Sequence, residues 1–86
     1  MANAESLFGL LALSLGNAAL VGLGIVPEPG NHKSTVNLEH VSYNIEMLSM
    51  LEEKTKGNLT IEEVHLLEGL LYDLRMKFVE ARRGAC

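Results

Sequence analysis

The sequence is poor in the residues that commonly stabilise small proteins. Its 86 residues include one cysteine, two prolines and no tryptophan. A single cysteine, Cys86, excludes an intramolecular disulfide, and no cysteine–histidine cluster offers a structural zinc site. A domain of this length buries only about 60% of the surface that its unfolded chain exposes. We therefore expect a further source of stability, and oligomerisation is the one that remains.

Positive charge is also scarce. Seven lysines and arginines stand against eleven acidic residues, for a formal net charge of −4, which argues against a nucleic-acid partner. The basic residues Lys77, Arg82 and Arg83 are placed to complement a helix C-terminus, and no aromatic residues interleave with them for base stacking. Because the first residues lack the basic segment of a secretory signal, we expect a cytoplasmic protein.

The chain does contain one long run without charge, SLFGLLALSLGNAALVGLGIVP, from Ser6 to Pro27. It predicts a helix over about residues 4–23. About 20 such residues span ~30 Å, so the run is also long enough to cross a bilayer. Small residues recur at steps of 3, 4 and 3 along one helical face: Gly9, Ala12, Gly16 and Ala19. Because small residues let another backbone approach closely, we predict that this face is the interface of a homo-oligomer.

The remainder predicts an amphipathic helical hairpin. Pro27, Pro29 and Gly30 exclude a continuing helix, so the linker extends over about residues 24–36. Apolar residues at helical spacing then predict a helix over about 37–56 and another over about 61–83. The turn of residues 57–60 is short, which makes these two helices antiparallel. The predicted fold is therefore all-α, with the apolar N-terminal helix covering the hairpin in an oligomeric helix bundle.

The turn carries two local signals. Gly57 is expected in a left-handed conformation after the second helix. Thr60 and Glu63 have the spacing of a capping box, in which each side chain accepts a hydrogen bond from the other residue's amide. The basic turn KTKGN (residues 54–58) lacks the G-x-x-x-x-G-K-[ST] pattern of a phosphate loop, so a helix-ending turn is the better account.

Possible site residues have simpler explanations. Glu62 and His65 have the E-x-x-H spacing of helical metal ligands, but they point away from the apolar stripe, and we expect a solvated face and no metal. Arg75 lies at the margin of that stripe and needs an acidic partner. Glu46 is the predicted partner in a structural ion pair, with Glu68 as the alternative.

Three methionines at helical positions allow two interpretations. Met47, Met50 and Met76 are suited to an adaptable contact surface because their side chains are flexible and polarisable. Filling of a core or an interface is the more common role for such residues.

Two segments resemble a known family. KTKGNLT (Lys54–Thr60) followed by LLYDLRM (Leu70–Met76) is similar to the hairpin of short, uncharacterised bacterial proteins grouped as domain of unknown function eighteen-forty-four. The family's other features correspond to three further segments: Leu13–Gly24, Pro27–Gly30 and Val36–Glu39. The resemblance covers nearly the whole chain. It implies a small helical bacterial protein, and it assigns no activity, so no functional residues are carried over.

The sequence contains no catalytic constellation and no cofactor motif, so we expect a protein that is not an enzyme. The predicted function is a non-catalytic oligomerisation or protein-interaction module. One alternative is a small inner-membrane protein with residues 6–26 inserted. Another is a helical subunit of a larger complex, with its first helix docked in a groove of a protein partner.

Overall fold

A computed structural model of the chain describes residues 4–26 and 36–84. It contains three α-helices: α1 (Ala4–Gly22), α2 (Leu38–Lys54) and α3 (Ile61–Gly84). The described residues include no strand, and the predicted all-α fold is confirmed. The linker residues Pro27, Pro29 and Gly30, and the single cysteine Cys86, lie outside the described residues.

Asn37 begins α2 as its N-cap. Its side-chain oxygen accepts a hydrogen bond from the His40 amide at 3.1 Å, which satisfies one of the free donors of the first turn. The Asn37 amide in turn donates to the Gly22 carbonyl at 2.7 Å. This bond joins the end of α1 to the start of α2. The helix ends at Lys54, where the sequence indicated about residue 56.

The turn between α2 and α3 is shaped by a glycine and a cap. Gly57 has a φ of +89°, in the left-handed region that favours glycine. The Glu63 amide donates to Thr60 Oγ1 at 3.2 Å, and the Thr60 amide donates to Glu63 Oε1 at 2.8 Å. These two bonds form a capping box at the start of α3. The bond from the Thr60 amide also gives a donor to the carboxylate of Glu63, a residue that is only 8% exposed.

Each helix contacts the other two. Gly9 of α1 faces Leu66 and Gly16 faces Leu70, so α1 and α3 run in the same direction. Gly22 meets the first turn of α2, so α1 and α2 are antiparallel. The core draws on all three helices and on Leu23, which directly follows α1. Its residues are Ala12, Ala19, Leu23, Val41, Ile45, Leu48, Leu67, Leu71 and Leu74.

The face of small residues on α1 points into the molecule, which corrects its predicted role. Ala12 and Ala19 are fully buried in the core, and Gly16 is buried. A Cβ placed on Gly9 would lie 3.7 Å from Leu66 Cδ2, and one on Gly16 would lie 3.1 Å from Leu70 Cδ2. The close backbone approach therefore occurs between helices of one chain. Ala12, Gly16 and Ala19 are therefore covered within the chain, and Gly9 is half-buried with Leu66 in front of it.

Candidate functional site

The main candidate surface is the side of α1 that faces away from α2 and α3. Here Leu7, Leu10 and Leu11 are exposed by 59%, 57% and 48%, at the spacing of adjacent helical positions. Leu13, 49% exposed, lies at the margin of this side, in the groove between α1 and α3. We call these four leucines the outer face of α1. These large apolar residues are exposed, whereas the small residues Ala12, Gly16 and Ala19 are buried on the opposite side of the helix.

The outer face carries little that requires water. No charged residue occurs between Ser6 and Gly22. The hydroxyl of Ser14 donates to the Leu10 carbonyl at 2.8 Å, so this polar group is satisfied within the helix. Asn17 is exposed beside it. A contiguous apolar face on a small protein is typical of an interaction site.

The outward sides of α2 and α3 carry smaller apolar groups. Met47 and Met50 are 40% and 47% exposed, and Met76 is 51% exposed. Tyr43 lies beside the first two and, with His40 and Glu46, lines a shallow surface depression of about 510 Å3. The structure therefore places all three methionines at the surface, where a contact role is open to them.

The predicted ion pair between Arg75 and Glu46 is not formed. Both side chains are exposed, on different helices, and no salt bridge joins them within the described residues. The alternative partner, Glu68, is exposed and does not pair with Arg75 either. Arg75 points to solvent because the buried stripe of α3 is centred on leucines that lie further around the helix. It does not need the acidic partner that a core margin would demand.

The E-x-x-H segment at the start of α3 has no metal-binding arrangement. Glu62 and His65 are exposed, and the intervening Glu63 is engaged in the capping box. Among the described residues, no three histidine, cysteine, aspartate or glutamate side chains come together in a way that could hold a metal ion.

The turn between α2 and α3 borders an open depression of about 440 Å3. Glu52, Glu53 and Glu68 line it together with a single lysine, Lys56. Three carboxylates against one ammonium group disfavour an anion at close range. The depression therefore does not favour phosphate binding at the KTKGN turn.

Within residues 4–26 and 36–84, no helix is both long enough and apolar enough to cross a membrane. The finding includes α1, the helix that lies within the segment 6–26 of the membrane alternative. α1 itself ends at Gly22, where its carbonyl accepts the bond from Asn37.

Comparison with known proteins gives one match. The family model described as Domain of unknown function (DUF1844) matches residues 5–80, which include nearly all of α1, the whole of α2 and most of α3. The resemblance found in the sequence is thereby confirmed. No curated protein and no solved structure matches this chain.

Proposed function

We propose that this chain, which belongs to the family described as Domain of unknown function (DUF1844), is a non-catalytic module that self-associates through the outer face of α1. The observation that carries this proposal is the exposure of Leu7, Leu10, Leu11 and Leu13, each by about half. In a helix that packs on two others, large apolar residues ordinarily face inward. Here these four leucines remain exposed and are available for a contact outside the chain.

The strength of such a contact can be bounded. Full burial of a leucine is worth about 1.5–3 kcal/mol, so covering the exposed halves of four leucines gains ~4 kcal/mol per chain and ~8 kcal/mol for a pair. A dissociation constant of 1 μM corresponds to about 8 kcal/mol, and the loss of free motion on association opposes it. The pairing should therefore be micromolar or weaker and should depend on protein concentration.

A second copy is the partner that this face fits best. A two-fold pairing brings the same surface together from both chains, so any charge near its centre would face a like charge. The uncharged run from Ser6 to Gly22 avoids that repulsion. Ser14 and Ala18 also lie on this side of α1, and their small side chains allow two helices to approach closely.

The test is the mass in solution of the double variant Leu7→Gln/Leu10→Gln, measured by sedimentation equilibrium at high salt. Glutamine keeps a helix propensity close to that of leucine and removes the apolar contact. The wild type should exceed the 9.4 kDa chain mass as concentration rises, and the variant should remain at it. The matched control is Ile61→Gln, which changes a residue that is 67% exposed on α3 and should leave association intact.

A wild type that stays at 9.4 kDa at every concentration would contradict self-association. A double variant that associates as strongly as the wild type would show that the outer face of α1 is not the contact. Docking of this face on a different protein is the competing role. It predicts a monomeric wild type in the same experiment.

A further inference from the structure

The outward sides of α2 and α3 carry the same pattern of side chains. In each helix a tyrosine is followed four residues later by a methionine. A second apolar residue comes three residues after the methionine, and a basic residue comes four residues after that. On α2 this set, which we call the α2 stripe, is Tyr43, Met47, Met50 and Lys54. On α3 the set, which we call the α3 stripe, is Tyr72, Met76, Val79 and Arg83. All eight residues are exposed. Steps of 3 and 4 place each set along one side of its helix, as in the seam of a coiled coil.

The pattern is complementary to itself when two helices run antiparallel. A tyrosine stands at the N-terminal end of each stripe and a cation at the C-terminal end. Antiparallel pairing of the two stripes sets Tyr43 against Arg83 and Lys54 against Tyr72, and a cation over an aromatic face is attractive. Between these ends lie the methionines and Val79, whose flexible or compact side chains adapt readily to one another.

The charges beside the stripes select which two helices pair. The α2 stripe is flanked by Glu46 and Glu53, which follow Tyr43 by 3 and 10 residues. The α3 stripe carries Arg75 and Arg82 at the same two positions after Tyr72. Pairing α2 with another α2 would bring carboxylates together, and pairing α3 with another α3 would bring guanidinium groups together. Among the antiparallel pairings, that of α2 with α3 brings these glutamates against these arginines, and flanking charges of this kind set partner choice in helix pairs.

From this complementarity we infer that the α2 stripe of one copy packs antiparallel on the α3 stripe of another copy. Met50 lies opposite Met76 in this arrangement, and Glu53 lies beside Arg75. The two surfaces differ, so the contact is heterologous and can repeat from copy to copy. It uses neither the outer face of α1 nor the core, and it does not depend on the proposed pairing through α1.

The test uses the full chain with Leu7→Gln/Leu10→Gln as background, so that association through α1 is removed. At low salt this protein should associate in sedimentation experiments, and association should weaken as salt screens the charges. Adding either Glu53→Arg or Arg75→Glu should weaken association by about tenfold, because each places like charges together. Circular dichroism confirms that each variant keeps its helices.

The decisive result is the rescue. An equimolar mixture of the Glu53→Arg and Arg75→Glu proteins should associate more strongly than either alone, and a chain carrying both changes should recover most of the background affinity. Lys56→Glu is the matched control, because it reverses a positive charge in the turn, outside both stripes. It should have little effect.

Three outcomes would overturn the inference: no association of the background protein at low salt, no rescue by the double charge exchange, or an equal effect of Lys56→Glu and Arg75→Glu. None of these bears on the proposed pairing through α1, which is measured at high salt with the native leucines as reference. The two proposals can therefore fail separately.

Discussion

Gly16 of α1 lies so close to Leu70 of α3 that a Cβ on the glycine would be 3.1 Å from the leucine Cδ2. This distance explains how α1 is oriented. The core where three helices meet has room for hydrogens and methyl groups on α1, as at Gly16, Ala12 and Ala19. Because small residues fill that space, Leu7, Leu10 and Leu11 lie on the opposite side of α1, while Leu15 and Leu20 are half-buried against the core. The exposed apolar surface is thus a direct consequence of the tight packing between helices of one chain.

Replacement of Gly16 by leucine should lower stability. The added side chain would enter space held by Leu70, and overpacking of this kind costs about 1–3 kcal/mol. Urea unfolding followed by circular dichroism measures the loss. The control is Gly69→Ala, because a Cβ at Gly69 meets nothing within 4 Å, and alanine should raise the free energy of unfolding by roughly 0.5–1 kcal/mol. An unaffected Gly16→Leu protein would mean that α1 does not pack on α3 through this face.

The orientation of α1 also predicts a contrast between two leucines. Leu48 of α2 is fully buried, so Leu48→Ala should cost about 2–5 kcal/mol of folding free energy. Leu10 of α1 is 57% exposed, and Leu10→Ala should cost less than about 1 kcal/mol because it opens no internal cavity. Thermal unfolding at low protein concentration, where association is negligible, compares the two. Equal losses would show that α1 is rotated differently.

The capping box predicts a difference between two substitutions of Thr60. Alanine removes the hydroxyl that accepts from the Glu63 amide at 3.2 Å, and loss of such a cap costs about 0.5–2 kcal/mol. Serine keeps the hydroxyl, so Thr60→Ser should remain near the wild type. Unfolding in urea measures both proteins. If Thr60→Ala and Thr60→Ser were equally stable, the cap would contribute nothing to the start of α3.

Gly57 tests the turn independently of packing. Its φ is +89°, and a Cβ there would meet no atom within 4 Å, so any loss in Gly57→Ala comes from the backbone alone. A left-handed conformation costs an ordinary residue roughly 1–2 kcal/mol. Gly57→Asn should lose less, because asparagine tolerates this region better. The free energies of unfolding should therefore rank glycine first, asparagine second and alanine last.

The hairpin was predictable from sequence because each of its helices carries one apolar stripe on a polar background. The stripes fix which side of α2 and α3 faces the core, and Asn37, Gly57 and Thr60 mark where the helices begin and end. The bounds of α2 differed by two residues at its C-terminus, within the usual uncertainty of helix ends.

The orientation of α1 was not predictable in the same way. Its apolar residues surround the helix, so hydropathy favours no side. The sequence identifies the small-residue face and predicts a second copy against it, whereas the structure places α3 of the same chain there. The volume of the side chains accounts for the orientation of α1, because a short helix packed on both members of a hairpin fits best with its smallest side inward. The predicted position of Arg75 at the margin of the core is also wrong. The core side of α3 centres on Leu67, Leu71 and Leu74, and Arg75 is exposed to solvent.

The most direct measurement of the central claim is the mass of the wild-type chain in solution at high salt over a range of concentrations, beside that of Leu7→Gln/Leu10→Gln. If the outer face of α1 is a self-association surface, the wild type rises from 9.4 kDa toward at least twice that mass, and the variant does not. If the two proteins have the same mass at every concentration, the exposed leucines of α1 do not hold copies of this chain together.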